Sequence, residues 1–103
     1  MDITELTSNV EEVSAHYAVM HDIDRNDDWF VLKLNEEVGE LTQAYLAVRG
    51  QARDKGKSAA QLRQDLEYEL ADVLVQTLLI AKRMGVDVEK AIDEKWMVWH
   101  PSH

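Results

Sequence analysis

The sequence presents one arrangement of residues twice, as LNEEVGEL at residues 34–41 and as LEYELADV at residues 66–73. In each copy an apolar residue is followed three positions later by an acid, and three positions after that by a second acid with an apolar neighbour. Because an α-helix turns by about 100° per residue, this spacing places the first acid at the edge of an apolar stripe and the second about 60° beyond it, on the same side. The two segments therefore predict two amphipathic helices, each with a pair of carboxylates beside its buried face.

The apolar stripe continues along both predicted helices. Its members are Phe30, Leu34, Leu41, Tyr45 and Val48 on the first helix, and Leu62, Leu66, Val73, Thr77 and Ile80 on the second. If the two stripes face each other, the acids beside them converge in a partly buried place. The four converging acids are Glu37, Glu40, Glu69 and Asp72.

The rest of the sequence is also helical in its pattern, and we predict four helices. They span residues 4–21, residues 29–49 with Gly50 as the stop, residues 59–84 ended by Gly85, and residues from 88 until Pro101. Asp27 or Asp28 is expected to cap the second helix, Ser58 and Gln61 to form a capping box for the third, and Asp87 to cap the fourth. No strand-like alternation is present, so the sequence predicts an all-α, four-helix bundle that forms a single domain over residues 1–103.

Composition limits the classes of partner. Eleven Lys and Arg residues stand against twenty Asp and Glu residues, which gives a formal net charge of −9. Binding to a nucleic acid polymer depends on cations that neutralise phosphates, so this partner is not expected. A nucleotide remains compatible with an acidic protein when divalent cations stand between the carboxylates and the phosphates.

Length and hydropathy set further expectations. The longest unbroken apolar run, residues 78–81, is far too short to span a bilayer, so we expect no membrane partner and a soluble, cytoplasmic protein. A chain of 103 residues has a thin core of its own. We therefore expect a homo-oligomer, either a dimer or a tetramer.

Four converging carboxylates need a compensating charge, because ionised carboxylates are costly to bury unless they are paired or bind a metal. Lys33, one turn before Glu37, offsets only one of these charges. A set of oxygen donors suits a hard cation, with Mg²⁺ as the expected ion and Mn²⁺ as a substitute. No His follows Glu37 or Glu69 by three positions, which argues against a di-iron bundle. The remaining alternative is two solvated helix faces whose acids share a spacing by chance.

These motifs resemble those of a known family. The segments EEVGEL at residues 36–41 and ELADV at residues 69–73 are similar to the EExxE…ExxD pattern of the MazG-like, all-α nucleoside triphosphate pyrophosphohydrolases. The resemblance implies hydrolysis of a nucleoside triphosphate to the monophosphate and pyrophosphate. It also implies that Glu37, Glu40, Glu69 and Asp72 bind Mg²⁺ and that Glu36 helps to activate water.

Contacts to the substrate are less well indicated by the sequence. Lys33, Lys82 and Lys95 are candidates to contact phosphate oxygens, and Lys95 is the nearest match to a lysine in the last helix of family members. Trp29 is a candidate to stack on the nucleobase, although packing is the more common use of a Trp side chain. The segment KWMVWHPSH at residues 95–103 departs from the Asn and basic residues that are common in the family at this place.

Two other functions remain open on the sequence alone. One is hydrolysis of phosphoribosyl-ATP by an enzyme with a similar helical scaffold and similar acidic motifs. The other is a non-catalytic helical oligomerisation module that retains the metal cluster without turnover. An assay for pyrophosphate release separates these possibilities.

Overall fold

A computed structural model describes residues 1–102, which form four α-helices and one short 3₁₀ helix. The elements are α1 (Ile3–Met20), α2 (Asp27–Val48), α3 (Ala59–Met84), α4 (Val88–Lys95) and the 3₁₀ helix Met97–Trp99. Residues 1–102 contain no strand, and this confirms the prediction of an all-α fold. In the same part of the chain, no helix combines the length and the apolar character that crossing a membrane requires.

The amino-terminal ends of the helices follow from their capping residues. The carboxylate of Asp2 accepts a hydrogen bond from the Glu5 backbone N–H at 2.8 Å, and the Asp87 carboxylate does the same for the Lys90 N–H at 3.0 Å. In the capping box of α3, Ser58 Oγ accepts from the Gln61 N–H at 3.2 Å. These side chains satisfy backbone donors that a helix leaves unpaired in its first turn. The predicted caps at residues 58 and 87 are therefore confirmed.

The cap of α2 lies one residue earlier than predicted. Asn26, not Asp27 or Asp28, has the extended backbone of a cap, and its side-chain oxygen accepts a hydrogen bond from the Trp29 N–H at 2.8 Å. Asp27 and Asp28 occupy the first turn of the helix instead. Negative charge there is favourable because the helix dipole is positive at this end. The prediction was wrong because Asn and Asp are both favoured at the cap position, and acids are also favoured in the first turn that follows it.

Three helices end with the same backbone motif, in which a residue of left-handed conformation follows the last helical turn. The residues concerned are Asp22 after α1 (φ 52°), Gly50 after α2 (φ 75°) and Gly85 after α3 (φ 66°). In each case the next N–H donates to a carbonyl five residues earlier, at 2.8–2.9 Å: Ile23 to Ala18, Gln51 to Leu46 and Val86 to Ala81. This is the Schellman arrangement, which satisfies carbonyls at a helix end. The predicted stops at Gly50 and Gly85 are confirmed.

The last helix is shorter than predicted. α4 ends at Lys95, and the chain continues into the 3₁₀ helix Met97–Trp99 rather than remaining α-helical until Pro101. His100 is extended (φ −67°, ψ 134°). A residue that precedes a proline is driven out of the α-helical region by the proline ring, and this accounts for the end at His100. The α-helix itself has already ended five residues before that point.

The helices pack into two compact units. Among the described residues, one unit consists of residues 1–24 together with residues 78–102, and its buried side chains are Ala18, Leu78, Leu79 and Ala81. The other unit consists of residues 25–77 and contains both copies of the acidic arrangement. Its buried side chains are Phe30 and Glu37. A charged residue is thus one of the most buried groups of the second unit.

The predicted apolar stripes are only partly buried. Leu34, Leu41 and Leu66 are half-buried, whereas Tyr45 and Val48 on α2 and Thr77 on α3 are exposed. Val48 is the last residue of α2, and Tyr45 lies at one edge of its stripe, so other residues of the same chain cover these two side chains only in part. The buried width of each helix is therefore narrower than the sequence pattern predicts.

Replacement of Asn26 by Ala should lower the free energy of unfolding by about 1 kcal/mol, because the first turn of α2 loses its cap. Chemical denaturation followed by far-UV circular dichroism measures this change. Asn26→Asp keeps the oxygen acceptor and serves as the matched control, with stability close to that of the parent chain. Equal stability of the Ala and Asp variants would contradict the capping role.

Candidate metal centre

Five of the acids on helices α2 and α3 make up the acidic motifs of the unit of residues 25–77. Glu36, Glu37 and Glu40 lie on α2, and Glu69 and Asp72 lie on α3. One carboxylate oxygen from each of Glu37, Glu69 and Asp72 lies within 4.8 Å of the other two. The structure therefore brings together acids from both copies of the sequence arrangement.

A second group of oxygens is formed by α2 alone. Glu36, Glu37 and Glu40 each offer an oxygen within 4.8 Å of the other two, so Glu37 belongs to both groups. Oxygens bound to a single Mg²⁺ in octahedral geometry are about 3–4 Å apart, since each lies about 2.1 Å from the ion. The oxygens of each group, which lie within 4.8 Å of one another, are therefore near the spacing that one ion requires.

Burial is uneven across the cluster. Glu37 is only 7% exposed, Glu69 is half-buried, and the other three acids are exposed. The Oε2 atoms of Glu37 and Glu69 are both buried without a hydrogen-bond partner. A buried acceptor left without a partner costs about 1–3 kcal/mol, and a charged one costs more. These two oxygens mark the enclosed part of the site.

One cation, Lys33, lies beside the acids. Its Nζ is 3.3 Å from Glu36 Oε1 and 3.7 Å from Glu37 Oε1. Partial burial alone would lower the Lys33 pKa, but the hydrogen bond to Glu36 and the charges of Glu36, Glu37 and Glu40 raise it overall. Lys33 therefore remains positively charged, but a single charge does not balance the cluster.

The uncompensated charge changes the protonation of the two buried acids. Burial, hydrogen bonding to Glu40 and the charges of Glu40 and Asp72 raise the pKa of Glu37 to about 7, although Lys33 acts in the opposite direction. Burial raises the pKa of Glu69 as well, helped by the charges of Glu40 and Asp72. Glu40 thus raises the pKa of acids on both helices, because its charge disfavours the ionised form of each.

These features fit a hard divalent cation. All the donors in the two groups are carboxylate oxygens, as Mg²⁺ and Mn²⁺ prefer. The unpartnered Oε2 atoms of Glu37 and Glu69 supply acceptors that a cation would satisfy. A cation would also remove the repulsion that raises the pKa values of these residues.

The remaining site residues predicted from the sequence have different surroundings. Trp29 is half-buried, and its ring packs edge-on against Phe30 with centroids 5.0 Å apart. Lys82 and Lys95 belong to the other unit, where Lys82 lines a cavity of about 480 Å³ and Lys95 is exposed at the end of α4. The roles of Trp29, Lys82 and Lys95 in substrate binding stay predictions.

Sequence reasoning overlooked Gln76. It lies one turn after Asp72 on α3, and its Oε1 atom is buried without a hydrogen-bond partner. At about 100° per residue, Gln76 shares a helix face with Glu69 and Asp72. The signal in the sequence was the four-residue spacing between Asp72 and Gln76, which a search for carboxylates alone does not detect.

Acids from two facing motifs, with an all-oxygen donor set on an all-helical scaffold, define an all-α protein with a candidate divalent metal centre. The family model described as the MazG nucleotide pyrophosphohydrolase domain matches residues 25–97, and the chain belongs to this family. This membership confirms the resemblance found in the acidic motifs. Comparison with curated proteins gave no match, and neither did comparison with solved structures.

Without divalent cations, the free energy of unfolding should fall as the pH rises from about 5 to 8. The pKa of Glu37 is about 7 in the folded chain and 4.5 in its ordinary state, so the folded chain binds the extra proton in this window. This contribution is complete below the lower value and is lost as the pH passes the higher one. Denaturation in EDTA across this range measures the slope.

Glu37→Gln should flatten this slope, because the amide cannot titrate. Glu67→Gln, at an exposed position of α3, is the matched control and should retain the slope of the parent chain. A parent chain whose stability rises over the same range would show that Glu37 is not held protonated.

Proposed function

We propose that this chain is a Mg²⁺-dependent nucleoside triphosphate pyrophosphohydrolase. It cleaves the anhydride bond between the α- and β-phosphates and releases a nucleoside or deoxynucleoside monophosphate and pyrophosphate. Membership of the nucleotide pyrophosphohydrolase family supports the reaction class. The observation that carries the proposal is the buried Glu37 carboxylate, which has an unpartnered oxygen and belongs to both carboxylate groups.

Glu37, Glu40, Glu69 and Asp72 would hold the metal, with Mn²⁺ as a possible substitute. When bound, Mg²⁺ neutralises phosphate charge and lowers the pKa of a coordinated water molecule. The task of the four acids is to present carboxylate oxygens from two helices to one place. Glu37 and Glu69 are suited to this task because their buried oxygens have no competing hydrogen bond.

Glu36 is proposed as the base that accepts the proton of the attacking water. Its side chain is 56% exposed, so water reaches it, and Lys33 fixes it through a contact of 3.3 Å. The oxygen of water forms a bond to phosphorus, and the bond from phosphorus to the bridging oxygen breaks. The phosphorus attacked is that of the α-phosphate, the electron pair of the broken bond leaves with pyrophosphate, and the proton of the water goes to Glu36. Lys33, which remains cationic, is proposed to contact phosphate oxygens as well.

We further propose that the active form contains at least two copies of this chain. Only five apolar side chains are buried within residues 1–102, whereas many large apolar ones are exposed. In the unit of residues 25–77, a groove of about 390 Å³ is lined by Leu41, Thr42, Tyr45, Leu66 and Leu70. An apolar groove of this kind on a short chain favours association with a second copy.

Glu37→Gln and Asp72→Asn should each reduce Mg²⁺-dependent release of pyrophosphate by about 100-fold or more, because each removes a proposed metal ligand. Release is measured on a panel of deoxynucleoside triphosphates, modified nucleoside triphosphates and phosphoribosyl-ATP, with and without Mg²⁺. The far-UV circular dichroism of both variants should match that of the parent chain. Glu67→Gln, an exposed acid of the same helix α3, should retain full activity.

Full activity of either ligand variant would refute the assignment of the metal site. Turnover of phosphoribosyl-ATP alone would identify the other enzyme considered above. A parent chain that binds Mg²⁺ but releases no pyrophosphate from any substrate would favour the non-catalytic module.

Leu70→Glu should lower the mass of the assembly in solution, because it places a charge in the apolar groove where Leu70 is 53% exposed. Light scattering coupled to gel filtration measures the mass. Gln64→Glu adds the same charge at an exposed position of α3 outside the groove and should leave the mass unchanged. A monomeric parent chain at all concentrations would contradict the proposed assembly.

A further inference from the structure

The unit of residues 25–77 contains a second feature, a cavity of about 480 Å³. Its wall includes the last turns of α2, the connection before α3 and the first turns of α3. Glu69, a proposed metal ligand, forms part of the wall, and so do three cations of the connection, Arg53, Lys55 and Lys57. A cavity of this size is typical of small-molecule sites.

The charges on this wall are partly compensated. Two further acids line the cavity, but both already have partners: Asp65 lies 2.7 Å from Lys57 Nζ, and Asp54 Oδ1 accepts a hydrogen bond from the Gly56 N–H at 2.9 Å. Within residues 1–102, no acid forms an ion pair with Arg53 or Lys55. Arg53 and Lys55 are therefore the two cations of the cavity wall without an acidic partner, and both can pair with an anionic ligand, although Asp54 keeps its negative charge beside them.

A tight turn at residues 54–57 fixes the backbone that carries Lys55 and Lys57. The Lys57 N–H donates to the Asp54 carbonyl at 3.0 Å, and the two residues between them have positive φ angles, 55° at Lys55 and 78° at Gly56. Such angles are those of a type I′ turn. The backbone that carries Lys55 is thus fixed by two hydrogen bonds to Asp54, one to its carbonyl and one to its side chain.

We propose that this cavity binds the pyrophosphate portion of the substrate and holds the pyrophosphate product, with Arg53 and Lys55 as its cationic contacts. The inference rests on the proposed function and names the residues that receive the leaving group. Cleavage between the α- and β-phosphates leaves the electron pair of the broken bond on pyrophosphate, which therefore gains negative charge as it departs. Cations on the wall stabilise that charge, and Glu69 joins this wall to the carboxylate cluster.

Electrostatics favour this assignment over a nucleobase in the same cavity. The chain has a net charge of −9, so a polyanion needs a local group of cations to approach the carboxylates. Residues 53–57 supply three of the eleven Lys and Arg residues of the chain within five positions. A nucleobase is neutral and would gain less from these charges than a polyanion.

Direct binding of inorganic pyrophosphate tests the proposal without turnover. Isothermal titration in the presence of Mg²⁺ compares the parent chain with the double variant Arg53→Gln/Lys55→Asn. Asn removes the charge of Lys55 but tolerates the left-handed backbone, so the turn is retained. We expect the affinity for pyrophosphate to fall about tenfold and its dependence on salt concentration to become weaker.

The matched control is the double variant Arg63→Gln/Lys90→Gln. It removes the same charge from exposed side chains that pair with Glu67 and Glu94 and that lie outside this cavity. The control should bind pyrophosphate as the parent chain does. If the cavity variant also retains full affinity, or if the parent chain does not bind pyrophosphate, the proposal is refuted.

Failure of the proposed function gives a different result. If the chain binds pyrophosphate through Arg53 and Lys55 but hydrolyses no substrate, the anion site is supported and the proposed enzymatic activity is refuted. In an active enzyme, the same cavity variant should raise the inhibition constant for pyrophosphate about tenfold and leave inhibition by the monophosphate product unchanged.

Discussion

The burial of the Glu37 carboxylate next to acids of a second helix is the interaction on which the rest of the site depends. Only 7% of this residue is exposed, and one of its oxygens has no partner. Lys33 provides one nearby charge, but burial, the hydrogen bond to Glu40 and the charges of Glu40 and Asp72 together outweigh it and raise the pKa of Glu37. A divalent cation bound between α2 and α3 would stabilise this buried carboxylate.

Much of the fold could be predicted because helices are specified locally. The span of α3 was predicted from its capping box and from Gly85, and it agrees with the structure at both ends. Errors arose where several residues share one preference, as at the start of α2, or where a tighter helix competes with the α-helix, as after Lys95. The extent of burial was overestimated, because periodicity identifies a face but not the neighbours available to cover it.

The candidate site shows the same division between local and long-range information. With the two stripes facing each other, helical spacing predicted that Glu37, Glu40, Glu69 and Asp72 converge. Oxygens of Glu37, Glu69 and Asp72 lie within 4.8 Å of one another, whereas Glu40 belongs to the group formed by α2 alone. Spacing placed Glu37 nearer the apolar stripe than Glu40, but the extent of burial of Glu37 depends on side chains of another helix. The cavity beside Arg53 and Lys55 was also missed, since it depends on a left-handed backbone at Lys55 that propensities do not favour.

The helix endings have a consequence for how strain is distributed along the chain. Three helices finish in the same left-handed motif, but only α1 places a residue with a side chain, Asp22, at the position where the others have glycine. A left-handed conformation costs most residues about 1–2 kcal/mol, since the Cβ crowds the neighbouring carbonyl, and it costs Asp less than this but more than glycine. Replacing Asp22 by glycine would relieve this strain and stabilise the folded chain, at a position far in sequence from the acidic motifs. The stability gained there would offset the stability lost through substitutions among the carboxylates.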